Sequence, residues 1–220
     1  MLLSSNFERN WLSLLARINK KQFDDCSSEF ATAMAQELAS WLENIGYRAK
    51  TGLRLRDGST DLDLVVWSPD EKFLLTAELK AMIQTADLME VLNRGEQTAR
   101  KSIENQLPKH NNALDQNSAD VVERAFGIRT AVIAYDSLLV CCGFCGTSRL
   151  PRTFPCVDER LFKKAIVKCN SLSDAAKWLR SYLWLPAPGP DCSVDTITIT
   201  APNGFTITYP DTIVNKSLGR

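Results

Sequence analysis

Residues 60–80 read Thr-Asp-Leu-Asp-Leu-Val-Val-Trp-Ser-Pro-Asp-Glu-Lys-Phe-Leu-Leu-Thr-Ala-Glu-Leu-Lys, two apolar runs on either side of a short turn. Side chains alternate between the two faces of a β-strand, and the charged residues of each run occupy alternate positions. A hairpin that turns near Pro69 therefore sets Asp63 across from Glu78. Facing carboxylates lie about 4.5–5.5 Å apart at Cβ and repel each other, so this pair predicts a bound divalent cation.

The same hairpin register sets Asp61 across from Lys80, which shares a strand face with Glu78. Asp61 is either a further metal ligand or the ion-pair partner of Lys80. A plain cross-strand ion pair is the alternative, but buried charges are costly unless they are paired or bound to metal. The strongly apolar strands around these charges therefore favour a metal site.

The composition describes a folded domain without an overall electrostatic field. Of the 220 residues, 45% are apolar, and Lys plus Arg equals Asp plus Glu at 26 each. A nucleic-acid partner therefore requires a local basic patch. Two patches qualify, although a solvated surface explains either one equally well: Arg48, Lys50, Arg54 and Arg56, and Arg149, Arg152, Arg160, Lys163, Lys164 and Lys168. The first patch directly precedes the hairpin and is the expected nucleic-acid-binding segment.

The first ten residues lack a basic stretch followed by an apolar one, so no secretory signal is expected. No run approaches the roughly 18 apolar residues of a membrane span, and no membrane partner is expected. Seven irregularly spaced cysteines argue against a disulfide framework. These features together predict a cytoplasmic protein.

Two helices are predicted from apolar spacing. The first covers residues 28–45, with Ser28 as its N-cap and Gly46 as its terminator. The second covers roughly residues 86–107 and ends at a proline, after which residues 108–120 are predicted to form a polar loop. The acidic hairpin lies between the two helices.

The remaining apolar runs complete a mixed order of helices and strands. Further strands are predicted at residues 47–56, 130–135, 138–144, 196–200 and 205–209, and further helices at residues 161–167 and 173–183. This order predicts an α/β protein with helices on both sides of a mixed sheet. The expected organisation is a helical lead-in at residues 1–27, an α/β domain at 28–185, and a linker with a C-terminal β-hairpin at 186–220.

Asp63 on one strand, followed by Glu78-Leu79-Lys80 on the next and flanked by two helices, resembles the PD-(D/E)xK nuclease superfamily. The resemblance covers residues 28–135 and lacks the proline that often precedes the aspartate. It implies the restriction-endonuclease-like fold and Mg²⁺- or Mn²⁺-dependent hydrolysis of phosphodiester bonds. Asp63, Glu78 and Lys80 would be catalytic, with Lys80 orienting the attacking water or neutralising the phosphate. Hard carboxylate oxygens suit Mg²⁺ independently of the resemblance.

The resemblance also implies a helix glutamate and a glutamine near the metal. Glu37 is the first candidate for the glutamate and Glu29 the second, although Glu37 at the edge of an apolar stripe explains the pattern equally well. Gln106 lies on the sheet-facing stripe of the second helix, while Gln97 is turned about half a circle away at 100° per residue. Gln106 is preferred unless Gly95 breaks the helix.

The cysteines and the single histidine offer weaker alternatives. Cys142-Gly-Phe-Cys145-Gly resembles half of a zinc site, whereas a structural zinc needs four ligands. Some exonucleases of the superfamily hold an iron–sulfur cluster, for which the available ligands are Cys26, Cys142, Cys145 and Cys156. Cysteines in an apolar run are more often part of the core. His110 is placed in the predicted polar loop, and as the only histidine it argues against a Ser-His-Asp triad.

Three functions follow, the first being preferred. The preferred function is that of a metal-dependent nuclease with DNA as the expected substrate. It would act as a defence or restriction effector, as a homo-oligomer or within a larger assembly. Alternatively, it is a catalytically silent nuclease-fold module that binds nucleic acid or a partner protein. The third possibility is a regulator that binds metal through its cysteines.

Overall fold

A computed structural model describes residues 19–55, 61–81, 96–142, 151–184, 192–200 and 206–214. The chain divides into two compact units, Met1–Arg180 and Ser181–Arg220. The helical lead-in predicted before residue 19 lies outside the described residues, as do Arg56, Gly95, Cys145 and Arg149. The two units are described in turn.

The first unit is an α/β structure built on a five-stranded mixed sheet. Its elements are α1 (Lys20–Asn44), β1 (Arg48–Arg54), β2 (Asp61–Ser68), β3 (Phe73–Ala81), α2 (Glu96–Lys101), a π-helical turn (Ser102–Gln106), α3 (Leu107–Phe126), β4 (Ala134–Cys142), β5 (Cys156–Asp158), α4 (Glu159–Cys169) and α5 (Leu172–Ser181). The strand order is β1-β2-β3-β4-β5, antiparallel from β1 to β3 and parallel from β3 to β5. The predicted mixed sheet flanked by helices is therefore confirmed.

Helix α1 begins earlier than the sequence predicts. Its N-cap is Asn19, whose Oδ1 accepts a hydrogen bond from the Gln22 N–H at 3.1 Å, and Ser28 lies inside the helix. The first turns carry few apolar side chains, so apolar spacing does not reveal them. The predicted end is correct: Gly46 follows the helix with φ 97°, a conformation that favours glycine.

The hairpin has the predicted register. Leu64 pairs with Ala77, and Ser68 pairs with Phe73, as a turn near Pro69 requires. Both strands are buried over most of their length. On one face, Val65, Trp67 and Leu74 belong to an apolar cluster with side chains of α3, namely Leu114, Val121 and Val122. Helix α3 therefore covers the face that carries Asp63 and Glu78.

The predicted helix end at Pro108 and the polar loop at residues 108–120 are wrong. The chain passes through the π-helical turn, in which the Leu107 N–H bonds to the Ser102 carbonyl, and continues as α3. Pro108 stands in the first turn of α3, where a missing N–H and a fixed φ are tolerated. The polar run includes a kink at Asn117, whose Oδ1 accepts a hydrogen bond from the Asp120 N–H at 3.1 Å.

The C-terminal half of the first unit differs from the prediction mainly in its strands. One strand, β4, replaces the two predicted strands, and residues 130–133 precede it without strand structure. The short strand β5 had no counterpart in the prediction. Helices α4 and α5 correspond to the two predicted there, and α4 is capped by Asp158, whose Oδ1 accepts a hydrogen bond from the Leu161 N–H at 2.6 Å.

The second unit contains an antiparallel hairpin of β6 (Cys192–Thr200) and β7 (Thr206–Val214). This agrees with the hairpin predicted there, although both strands are longer. Throughout the described residues, every helix is too short or too polar to span a membrane.

Candidate functional site

The candidate site lies on one face of the hairpin, where β2 and β3 bring Asp63, Glu78 and Lys80 together. Glu78 is buried, with 2% of its surface exposed, and Asp63 is half-buried. Asp63 Oδ2 accepts a hydrogen bond from the Leu79 N–H at 2.9 Å, and Lys80 Nζ forms an ion pair with Glu78 Oε1. The Asp63 charge acts on the Glu78 carboxyl group from the facing strand. The alternation of both strands thus assembles three of the predicted residues.

The two carboxyl groups are poor acids in this environment. Burial raises the pKa of Glu78, and the neighbouring Asp63 charge raises it further, while Lys80 opposes the change. Burial also raises the pKa of Asp63, although the Leu79 hydrogen bond and the Lys80 charge act in the opposite direction. Raised pKa values in a facing pair indicate that the site favours an added proton or cation.

His110 also belongs to this site, although the sequence predicts it in a polar loop. It lies on α3, is fully buried, and places Nε2 3.4 Å from Glu78 Oε2. Among the described residues, neither ring nitrogen has a hydrogen-bond partner of ordinary geometry. Burial lowers the pKa of His110 to about 4; the Asp61 backbone opposes this change and the Lys80 charge adds to it. The imidazole is therefore neutral at pH 7.

A sequence pattern that identifies His110 does exist. Ile103, Leu107, His110 and Leu114 are spaced by four, three and four residues, and all four are buried. A helix continued through Pro108 places the histidine on this apolar stripe. The predicted loop hid the pattern, because it ended the helix two residues before His110.

Asp61 forms an ion pair with an arginine of the edge strand. Its Oδ1 lies 3.3 Å from Arg54 Nε on the neighbouring strand β1, and both side chains are more than half exposed. The antiparallel pairing of β1 with β2 sets these two residues opposite each other. The carboxylate of Asp61 is therefore engaged with an arginine, while its charge also raises the pKa of Asp63.

The structure does not bring Gln106 or Glu37 into contact with the carboxylate pair in the part of the chain it describes. Gln106 is the last residue of the π-helical turn, and its Oε1 accepts a hydrogen bond from Ser102 Oγ at 2.7 Å. Glu37 is 76% exposed and lies 3.6 Å from Lys163 Nζ of α4, which also pairs with Glu159 at 2.5 Å.

The basic strand β1 lies beside the site at the edge of the sheet. Arg48 and Lys50 are exposed, and they pair with Trp67 and Val65 of β2. Directly paired residues share a sheet face, so the two cations lie on the same face as Asp63. Gly52, with φ 63°, lies opposite Asp63, between the Thr51–Leu64 and Leu53–Leu62 pairs. Strand β1 therefore has no side chain at the position that faces Asp63.

The second basic patch is partly neutralised. Lys163 is held between Glu159 and Glu37, and Lys168 Nζ lies 5.0 Å from the centre of the Trp178 ring. Arg152, Arg160 and Lys164 are exposed. This patch therefore carries less free positive charge than its sequence suggests.

The described cysteines do not form a metal site. Cys141 and Cys156 are buried in an apolar cluster with Ile103, Leu107 and other side chains. Burial and the neighbouring Glu159 raise the pKa of the Cys142 thiol. Across the described residues, no group of three or more His, Cys, Asp or Glu side chains is arranged to hold a metal ion. The Cys26 side chain and Cys145 lie outside this statement.

Glu78 is thus surrounded by one carboxyl group, one ammonium group and one neutral imidazole. The Glu78 carboxyl group can bind a cation through its oxygens, and the Lys80 ammonium beside it can hold a negative charge. Its chemistry has to be inferred from these residues, because comparisons with known protein families, curated proteins and solved structures found no match to this chain.

Proposed function

We propose that this chain is a metal-dependent nuclease of the restriction-endonuclease-like fold that hydrolyses phosphodiester bonds in DNA. The observation that supports this function best is the buried Asp63–Glu78 pair, with Lys80 beside it and exposed cations on the same face of the sheet. Two facing carboxyl groups with raised pKa values are stabilised by a divalent cation, which removes their mutual repulsion.

The donor set fits Mg²⁺ or Mn²⁺. Mg²⁺ usually keeps several waters and binds proteins through one or two carboxylates, so Asp63 and Glu78 would suffice as ligands without a third side chain. When bound, such a cation stabilises the charge that develops on a phosphate and lowers the pKa of a bound water. Lys80 would hold the scissile phosphate or orient the water from its position beside Glu78.

Arg48 and Lys50 would hold the DNA backbone. Both are exposed on β1 and share the sheet face of Asp63, so a phosphate chain along the edge strand would pass the carboxylate pair. Phosphate contacts position a nucleic acid without reading its sequence. The absence of a side chain at Gly52 would leave room for the backbone beside Asp63.

The decisive experiment compares cleavage of plasmid and linear DNA, and of RNA, by the wild type and by matched variants in Mg²⁺ or Mn²⁺. Asp63→Asn and Lys80→Met are expected to abolish cleavage. Asp70→Asn, which removes a carboxylate from the exposed turn of the same hairpin, is the control and should cleave normally. Undiminished cleavage by Asp63→Asn, or no cleavage by the wild type, would contradict the nuclease function.

Binding gives a separate test of the basic strand. Replacing Arg48 and Lys50 by Gln should weaken binding to all DNA sequences alike, because phosphate contacts are lost. The slope of log affinity against log salt should fall by about 0.9 for each duplex phosphate contact removed. The same change at Lys164 and Lys168 is the control. A lower slope only in the control variant would move the DNA-binding surface to α4.

A silent nucleic-acid-binding module is the second candidate. It is favoured by the Lys80–Glu78 ion pair, which neutralises one of the two carboxylates without metal, and by the lack of a three-ligand group among the described side chains. This candidate predicts DNA binding that EDTA does not change and no cleavage with any divalent cation. Metal-dependent cleavage would exclude it.

A further inference from the structure

The buried imidazole of His110 has no function in the proposed nuclease chemistry. Its exposure is 0%, and within the described structure neither ring nitrogen has a hydrogen-bond partner of ordinary geometry, although the Asp61 backbone acts on the ring. Buried polar side-chain atoms are nearly always satisfied, and each exception calls for an explanation such as an ion or a catalytic role. An apolar residue would fill the same position on the stripe of α3 without placing two poorly satisfied nitrogens in the core.

The distance from His110 to Glu78 suggests what satisfies the ring. Nε2 lies 3.4 Å from Glu78 Oε2, which is long for a hydrogen bond between a nitrogen and an oxygen. Two ligand atoms that are each about 2.1 Å from a tetrahedral cation are about 3.4 Å apart. The spacing therefore matches two neighbouring ligands of one metal ion.

The two oxygens of Glu78 are already divided between two neighbours. Oε1 pairs with Lys80 Nζ, and Oε2 faces His110 Nε2. A cation bound to Oε2 therefore leaves the Lys80 contact in place. Asp63 lies beside Glu78, but the described side chains do not form a three-ligand group, so water would complete the coordination.

We propose that His110 Nε2 and Glu78 Oε2 together bind one divalent transition-metal ion, so that the site prefers an imidazole-binding cation to Mg²⁺. Imidazole nitrogen suits zinc, copper, iron and nickel, whereas Mg²⁺ is bound by oxygen ligands. This inference rests on the proposed function, since it assigns the cation class of the same site. His110 then determines which metal ion the site prefers, and its role is not limited to packing within the fold.

Cobalt(II) is the probe for the test, because its visible absorption reports the coordinating atoms and needs no catalytic activity. Calorimetry and absorption spectra are recorded with Co²⁺ and with Mg²⁺ on the reduced, full-length protein. The wild type should bind Co²⁺ more tightly than Mg²⁺. His110→Phe, which keeps a ring but removes both nitrogens, should weaken Co²⁺ binding by about 100-fold, since loss of a hydrogen-bond partner of a ligand alone costs about 10- to 100-fold. Its Mg²⁺ affinity should stay within about threefold, because Mg²⁺ does not use the imidazole.

His110→Gln is the second variant and keeps the test valid if the phenylalanine does not fold. It retains a polar side chain of similar length and should also lose the preference for Co²⁺. Equal Co²⁺ affinity in the wild type and a folded variant would overturn the proposal. So would thiolate-to-cobalt absorption, because it would show that cysteines capture the ion.

The two proposals fail in distinguishable ways. Cleavage that depends on Asp63 with no effect of His110 on Co²⁺ binding would overturn this inference and leave the nuclease function intact. Binding of Co²⁺ that depends on His110, without cleavage in any metal, would support the site and contradict the nuclease function.

Discussion

Two glutamates of the same hairpin, Glu71 and Glu78, have pKa values that move in opposite directions. Glu71, in the turn, accepts hydrogen bonds from Ser68 Oγ, Ser171 Oγ and the Leu172 and Ser173 N–H groups at 2.7–2.9 Å. Burial tends to raise its pKa, but the hydrogen bonds outweigh burial and lower the pKa to about 2. The pKa of Glu78 is raised by burial and by the Asp63 charge.

The difference shows that donors, rather than burial alone, decide which state of a carboxyl group the fold prefers. Glu71 meets the free N–H groups at the start of α5, which bind an anion well. Glu78 meets one cation, one carboxyl group and a neutral imidazole. Glu71 therefore joins the turn to α5 as a structural carboxylate, and Glu78 is left to respond to an added ion.

The largest expected effect is on catalysis and should appear at one glutamate only. Glu78→Gln is expected to lower the DNA cleavage rate by about 100- to 1,000-fold, a range typical for removal of one electrostatic group from an active site. Glu71→Gln should leave the rate within about twofold, because Glu71 contacts α5 and not the site. Rates measured with saturating metal check both values. Equal losses in the two variants would mean that cleavage depends on hairpin integrity.

The next largest effect is on stability, where the substitution of Glu71 should matter more than that of Glu78. Glu71→Gln should lower the free energy of unfolding at pH 7 by about 1–2 kcal/mol. Hydrogen bonds to a charged group contribute about this much, discounted here for the partial exposure of the side chain. Urea unfolding followed by circular dichroism measures the change, with Asp70→Asn as the control. An unchanged free energy would show that water replaces the serine and backbone donors.

The contribution of Glu71 should depend on pH with a defined sign. Its pKa falls from 4.5 to about 2 on folding, so the carboxylate stabilises the fold fully above the unfolded pKa. The difference between the wild type and Glu71→Gln should shrink as the pH drops from about 5 to about 2. Unfolding curves across this range check the prediction. A constant difference would assign the effect to packing instead of charge.

The smallest effect concerns Asp63 in metal-free buffer. Asp63→Asn should leave the free energy of unfolding unchanged or raise it by up to about 1 kcal/mol, because it removes one of two facing carboxylates while the amide oxygen still accepts the Leu79 hydrogen bond. Thermal unfolding in EDTA tests this. A marked drop in melting temperature would instead mean that Asp63 stabilises the fold as Glu71 does.

The sequence predicts the carboxylate site well because strand alternation and one turn determine it. The positions of Asp63, Glu78 and Lys80 depend only on the register of a short hairpin, and Leu64 pairs with Ala77 as expected. Register is strongly specified when apolar faces must be buried. The hairpin register alone does not predict Arg54 as the partner of Asp61, because that contact depends on the pairing of β1 with β2.

The parts that the sequence did not predict depend on longer-range structure. Glu37 shares a helical column with Trp41 and Ile45, yet the buried stripe runs through Met34, Leu38 and Leu42, so Glu37 lies outside it. Strand β5 has three residues, too few to show a period. Pro108 is usually read as a helix end, but here it stands in the first turn of α3, directly after the π-helical turn.

The π-helical turn at Ser102–Gln106 has a consequence for how this site tolerates changes in chain length. A π-helical turn holds one residue more than an α-helical turn, so the flanking helices keep their phase although the chain is one residue longer. Deleting Asn105 should convert the turn to regular helix and leave His110 facing Glu78. Deleting Lys109 should instead rotate the helix after it by about 100° and move His110 off its stripe. Two deletions four positions apart would thus have opposite outcomes.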